Sequence, residues 1–252
     1  MITRNELKYY VSLLQKKFRL KENIFLTEGK KVVLEGLKSN FECVIILITP
    51  RFFEEEKEYI KQIKSSNTRI EILKSLYFNR LTDTRSPEEI AAVFKYPQKQ
   101  PDIISIKDPL VVYLEDITDP GNLGTIIRNC DWFGIKNLFL SKTTAEVFNP
   151  KVIRASMGSV FHINIFEDVS LEEIKPLNNS GYEFVCSDLT GENVYEFKKE
   201  KRILLFFSNE THGPSKSLLT LSDTRISIPG KGKAESLNVA SASAIILSEL
   251  TK

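Results

Sequence analysis

Three apolar runs in this 252-residue sequence stop at polar residues that could do chemistry. Leu110-Val-Val-Tyr-Leu-Glu leads through Asp119-Pro-Gly to Asn122 and Arg128. Leu204-Leu-Phe-Phe runs into Ser208-Asn-Glu-Thr-His-Gly213, and Ile226-Ser-Ile-Pro leads through Gly-Lys-Gly-Lys to Ser236-Leu-Asn238. A carboxylate at a strand's carboxyl end, as Glu210 would be, can orient a hydroxyl, take part in proton transfer, or cap the next helix. Asn122 follows a Pro-Gly turn and suits a helix cap. Arg128 lies five residues beyond Leu123, about 140° round a helix from the stripe of Leu123, Ile126, Ile127 and Cys130. It is off the core face, and either makes a surface ion pair or meets an anion. Ser236 and Asn238 read locally as caps. His212, a solitary loop histidine, is a weaker candidate for a base.

The elements that must position these groups alternate. Apolar residues at Leu7, Tyr10, Val11, Leu14 and Phe18 predict an amphipathic helix over 5–19. Strands are expected at 24–27, 43–49, 69–73 and 90–94, with helices at 29–38, 53–63 and 76–81, enough for a small α/β domain. The polar, proline-bearing stretch Tyr96-Pro-Gln-Lys-Gln-Pro101 reads as a linker. Beyond it, strands at 110–115, 136–141, 159–165, 183–187, 202–207 and 225–228 alternate with helices at 123–133, 149–157, 171–177 and 237–250. Such a pattern predicts a mostly parallel sheet covered on both faces. Ligands of such sheets bind beyond the carboxyl ends of the strands, where the three polar loops fall.

Composition narrows the chemistry. Aliphatic and aromatic residues make up 42 % and charged residues 27 %, an ordinary globular balance. No run reaches the roughly 18–20 apolar residues of a membrane span, and MITRNELKYY lacks the pattern of a secretion signal, so a cytoplasmic protein is expected. Three dispersed cysteines and two histidines favour neither a disulfide framework nor a metal centre. The net charge of +2 is uneven: 19 Lys and Arg stand against 13 Asp and Glu over residues 1–100, and 16 against 20 beyond. A basic first part suits either a polyanion or a solvated face. Neither G-x-x-x-x-G-K-[ST] nor G-x-G-x-x-G occurs, which disfavours nucleotide folds of those kinds.

Taken together, DPGNLGTIIRNCDWFG at 119–134, NPKVIRASMGS at 149–159, LLFFSNETHG at 204–213 and ISIPGKGKAESLNVASASAIILSEL at 226–250 resemble the SpoU (TrmH-like) class of SPOUT RNA methyltransferases. The resemblance covers essentially all of residues 110–252. It departs from the usual family pattern at Ser208, where glycine is usual, and at Gly230, where methionine is common. More weakly, the first hundred residues resemble the family's ribosomal-protein-like substrate-binding domain. The resemblance implies an RNA substrate-binding domain at 1–97, a linker at 98–106, and a catalytic domain at 107–252 with a trefoil knot, a rare topology. It implies an S-adenosylmethionine-dependent enzyme methylating a ribose 2′-hydroxyl, with rRNA ahead of tRNA as substrate, working as a homodimer without metal or membrane.

Residue by residue, the resemblance places Ser208, Asn209, Gly213, Ile228, Gly230 and Leu237 around the cofactor. It places Asn122, Arg128, Glu210, Ser236 and Asn238 around the reacting groups. Arg128 would assist deprotonation of the hydroxyl, or hold an RNA phosphate that takes the proton, since a guanidinium is normally protonated. The alternatives are a catalytically silent RNA-binding protein of the same fold and a base methyltransferase. The small residues Ala240, Ser241, Ala242, Ser243 and Ala244 imply a closely packed last helix.

Overall fold

The computed structural model describes residues 2–64, 68–84, 86–97 and 102–252. Of the expected linker, residues 98–101 lie outside the described residues, and the rest holds a 3-10 turn at Ile103–Ser105.

In chain order the first part comprises α1 (Arg4–Ser12), α2 (Lys16–Glu22), β1 (Ile24–Glu28), α3 (Lys30–Lys38), β2 (Cys43–Ile48), α4 (Pro50–Glu55), α5 (Lys57–Lys64), β3 (Ile70–Ile72), α6 (Ser75–Phe78) and β4 (Ile90–Lys95). Its sheet has the order β1-β4-β2-β3, with β4 antiparallel to both neighbours and β2 parallel to β3. The helix expected over 5–19 is two. A Thr3–Glu6 capping box opens α1, and the chain turns after Leu13, whose carbonyl accepts from the buried Arg19 guanidinium at 2.7 Å. The apolar spacing continues across this break, which is why the sequence reads as one helix.

The second part comprises β5 (Leu110–Glu115), α7 (Pro120–Trp132), β6 (Asn137–Leu140), α8 (Pro150–Ser156), β7 (Asn164–Phe166), α9 (Leu171–Asn179), β8 (Tyr182–Asn193), β9 (Arg202–Ser208), α10 (Lys216–Leu221), β10 (Thr224–Ser227) and α11 (Val239–Leu250). Six strands form one sheet, β10-β8-β9-β5-β6-β7, and every pairing is parallel. All six residues of β5 are buried, the continuous burial of a strand covered on both faces. Val111, Tyr113, Phe139, Phe184, Leu204 and Phe206 belong to one core cluster with Ile174 and Leu177 of α9. The strand expected over 159–165 resolves into a 3-10 turn, Ser159–Phe161, and β7.

The chain divides into two compact units: residues 1–98 with 148–161, and residues 99–147 with 162–252. Residues 148–161, which carry α8, therefore pack within the first unit. Phe148 stacks on Phe25 with ring centroids 4.2 Å apart, and Phe161 sits 5.1 Å from Phe94.

In the second unit β8 and β10 cross. Arg225 pairs with Cys186, but the next residue, Ile226, pairs with Glu192, so residues 187–191 leave the ladder. At the crossing a Cβ on Gly191 would lie 2.5 Å from the backbone nitrogen of Ile226, so only glycine lets the two backbones pass. The sequence reading ended β8 at Ser187, short of this bend.

Candidate active site

Strands β5 and β9 are neighbours, and their ends are in register at Glu115 and Ser208. The chain leaves both strands on the same side of the sheet, into α7 and into the 209–214 loop, and the start of α11 joins them there. Asp119, not Asn122, caps α7: its carboxylate accepts from the Asn122 N–H at 2.8 Å, and Pro120 takes the first helical position. The helix thus begins three residues earlier than the sequence reading placed it. That shift frees the Asn122 side chain.

It is used at once. Asn122 Nδ2 donates to Glu210 Oε1 at 3.0 Å, and Asn238 Nδ2 donates to the same oxygen at 2.9 Å and to Asn122 Oδ1 at 3.0 Å. Glu210 Oε1 also accepts the Val239 N–H at 2.9 Å, so the carboxylate lies on the amino end of α11, where the helix dipole favours negative charge. Asn238 caps that helix through Oδ1, which accepts from Ala240 and Ser241. The capping reading of Asn238 is therefore correct, and Glu210 caps as well, although it serves α11 rather than the helix that follows it. Among the described residues Glu210 Oε2 accepts no hydrogen bond.

Beside this triad lies a cleft of roughly 540 Å3, a size ordinary for small-molecule sites. Ser208, Asn209, Glu210, Gly213, Ile228, Gly230, Ser236 and Leu237 all line it. Ser236 is on the wall without joining the triad. Asn209 lines the cleft, but its amide is engaged with the backbone, donating to Asp116 O at 3.0 Å and accepting from the Thr211 N–H at 2.8 Å. A Cβ on Gly230 would meet nothing within 4 Å, so the wall there is bare backbone open to a ligand. Sequence reasoning missed Ser187, Asp188 and Leu189, which the β8 bend brings to the cleft. Gly191, a glycine just beyond a strand-like run, was the one available signal for that bend.

Two candidates stand apart. His212 is exposed and outside the cleft lining. Arg128 is exposed on α7, has no ion-pair partner among the described residues, and does not line the cleft. It is six residues from Asn122, about 9 Å along the axis and on another face. The surface ion pair that a lone helix arginine usually makes is absent among the described residues. Asn129, the next residue along α7, joins α7 to α11 by donating to Ala240 O and Ser243 Oγ, both at 2.9 Å. Part of the small-residue run thus serves this close helix pair.

Among the described residues no group of three or more His, Cys, Asp or Glu is placed to hold a metal ion, and no helix is long and apolar enough to cross a membrane. Burial pushes the thiols of Cys130 and Cys186 upward, that of Cys186 to about 12, and neither residue lines the cleft.

Residues 109–248 match the SpoU rRNA Methylase family, and residues 4–92 match the MRM3-like substrate binding domain. The chain is 32 % identical over 97 % of its length to the 23S rRNA (guanosine(2553)-2′-O)-methyltransferase RlmP of Bacillus subtilis, covering 95 % of that protein. It superposes on the SpoU methyltransferase AviRb of Streptomyces viridochromogenes, solved in complex with AdoMet, with a TM-score of 0.88 at 27 % identity, covering 99 % of this chain and 97 % of that one. An AdoMet-bound rRNA methyltransferase from Sinorhizobium meliloti gives 0.86 at 26 % identity, over 99 % and 95 %. The match over more than half of the chain, and a relative aligned almost end to end, make this chain a member of the SpoU rRNA methylase family, with the α/β fold of the SPOUT methyltransferases.

Proposed function

We propose that this protein transfers a methyl group from S-adenosylmethionine to a ribose 2′-hydroxyl of rRNA. The observation that carries this reading is the division of labour within Glu210. Oε1 is saturated by Asn122, Asn238 and Val239, which fixes the carboxylate, while Oε2 stays available to accept a hydrogen bond from an incoming hydroxyl. A weak nucleophile of this kind must be held in line and helped to lose its proton, and a fixed acceptor at the cleft edge does the first.

The cleft suits the cofactor. Bare backbone at Gly230 and the 208–213 turn offers polar main-chain groups, while Leu189, Ile228 and Leu237 offer apolar contact. Ser208, Asn209, Gly213, Ile228, Gly230 and Leu237 would hold S-adenosylmethionine, which when bound supplies an electrophilic methyl on a sulfonium centre. Asn122, Glu210, Ser236 and Asn238 would face the acceptor. With Cys130 and Cys186 buried, their thiols pushed upward and neither lining the cleft, no cysteine among the cleft residues offers the thiolate for the covalent adduct some base methylations use, which favours a ribose acceptor.

A guanidinium is a fixed positive charge, so Arg128 would act on an RNA phosphate or on the developing alkoxide. Among the described residues of its own chain it bonds to no member of the triad and does not line the cleft. It shares a face of α7 with Trp132, which is 83 % exposed, and an exposed tryptophan beside an unpaired arginine has the composition of an interface centre. We therefore read the working form as a homodimer in which Arg128 serves the site of the other copy. The residues matched to the substrate binding domain, with the basic excess of the first hundred residues, would carry rRNA contact.

Calorimetry with S-adenosylmethionine on the full-length protein, run beside analytical ultracentrifugation, tests both halves. Binding by a dimer is expected. Absence of heat from folded protein would refute the cofactor assignment, and a monomer at micromolar concentration would refute the shared site.

A further inference from the structure

The loop that carries Glu210 is held at both ends by two consecutive residues at the tip of β5. Glu115 is 8 % exposed, and among the described residues no cation is paired with its carboxylate. Its Oε2 accepts from the Ser215 N–H at 2.9 Å and its Oε1 from Ser215 Oγ at 2.7 Å. Asp116 holds the other end: its carbonyl accepts from Asn209 Nδ2 at 3.0 Å. Asp116 is itself fixed. It adopts a left-handed backbone, φ 57°, its N–H donates to Ser141 Oγ at 3.0 Å, and Thr143 Oγ1 donates to its carboxylate. Between the two anchors the loop backbone is closed by its own turn, the Gly213 N–H on Asn209 O at 2.9 Å, while the Glu210 side chain is held by Asn122, Asn238 and Val239.

We infer that Glu115 is a positioning residue for methyl transfer, acting through Ser215 to hold the 209–215 loop and so to set where Glu210 stands. A carboxylate taken out of water beside no cation is costly, and a chain that needed only a strand end would place an apolar residue there. Its two oxygens instead match the two donors of Ser215. Ser215 also caps α10, its Oγ accepting the Leu218 N–H at 3.1 Å, so the loop is tied to the start of a helix as well as to β5. Errors of about 1 Å in a reacting group cost on the order of a hundredfold in rate, which makes such an anchor kinetically visible. The inference rests on the methyl-transfer reading above for its kinetic arm only.

The test compares Glu115→Ala with Glu115→Gln in the full-length protein. Glutamine can accept the Ser215 N–H with Oε1 and donate to Ser215 Oγ with Nε2, so it preserves the tie. Three readouts are taken: amide hydrogen exchange, S-adenosylmethionine affinity, and single-turnover methylation of deproteinised 23S rRNA. In Glu115→Ala the amides of Thr211, Gly213 and Ser215 should exchange about tenfold or more faster while those of β5 and β9 stay protected. Cofactor affinity should fall about tenfold, and the single-turnover rate by roughly ten- to a hundredfold. Glu115→Gln should lie within about threefold of the parent in all three. The inference is overturned if the alanine variant leaves exchange at 211–215 unchanged. It is equally overturned if protection falls uniformly across the sheet, which would make Glu115 a stability residue, or if glutamine is as damaging as alanine. A parent protein that methylates no RNA would count against the proposed function instead, and the exchange comparison would still decide the anchor.

Discussion

In Glu210 the two carboxylate oxygens have different work, and substitution can separate them. Glu210→Gln keeps an oxygen where Asn122, Asn238 and Val239 converge but turns the outward atom into a donor. The fold and melting temperature should hold while methyl transfer falls by about a hundredfold or more, the scale of losing an electrostatic or proton-handling group. Glu210→Ala should do worse on both counts, leaving three donors without their acceptor at a cost of about 1–3 kcal/mol, read by denaturant melts. Arg128→Ala should spare folding and S-adenosylmethionine binding, because Arg128 touches neither the triad nor the cleft, yet lose about a hundredfold in single-turnover rate. Near-normal turnover would remove Arg128 from the mechanism. The motifs brought into view side chains that the structure gathers beyond the strand ends, but the local capping reading fails for one of them. Asn122 reads as a cap because it follows Pro-Gly, and only the geometry reveals Asp119 in that role. Polar types at strand ends are legible in a sequence; which oxygen meets which amide is not, because it depends on loops meeting from positions about ninety residues apart.

Among the elements, those built from continuous apolar runs were legible. β5, β9 and the covered parallel sheet follow from runs such as Leu110–Leu114 and Leu204–Phe207, whose burial on both faces leaves no room for alternation. Boundaries set by tertiary contacts were not legible. The break between α1 and α2 depends on Arg19 reaching the Leu13 carbonyl, and the long β8 depends on β10 crossing it. The crossing gives a sharp expectation. Gly191→Ala places a methyl 2.5–2.6 Å from the backbone of Arg225 and Ile226, where no flexible side chain can yield. Overpacking of that kind typically costs about 1–3 kcal/mol, so the variant should melt measurably lower and bind S-adenosylmethionine more weakly, because Ser187–Leu189 line the cleft. A melting temperature and affinity equal to the parent's would mean that the crossing is looser than described.

For the whole molecule, charge and composition could not locate the contacts that define each unit. Residues 148–161 illustrate why. Their NPKVIRASMGS motif belongs by resemblance with the catalytic part, yet Phe148 and Phe161 pack with Phe25 and Phe94, a contact between distant segments that no local pattern encodes. One practical consequence is that removing residues 1–97 would bare these aromatic rings, so activity is to be tested on the whole chain. The central claim is that this intact chain methylates a ribose oxygen. It is tested most directly by incubating the full-length protein with 23S rRNA and methyl-labelled S-adenosylmethionine, then hydrolysing the RNA in alkali. A 2′-O-methyl group blocks cleavage of its own 3′ phosphodiester, so the account predicts label in alkali-resistant dinucleotides. Label recovered in mononucleotides would place the methyl on a base and contradict it.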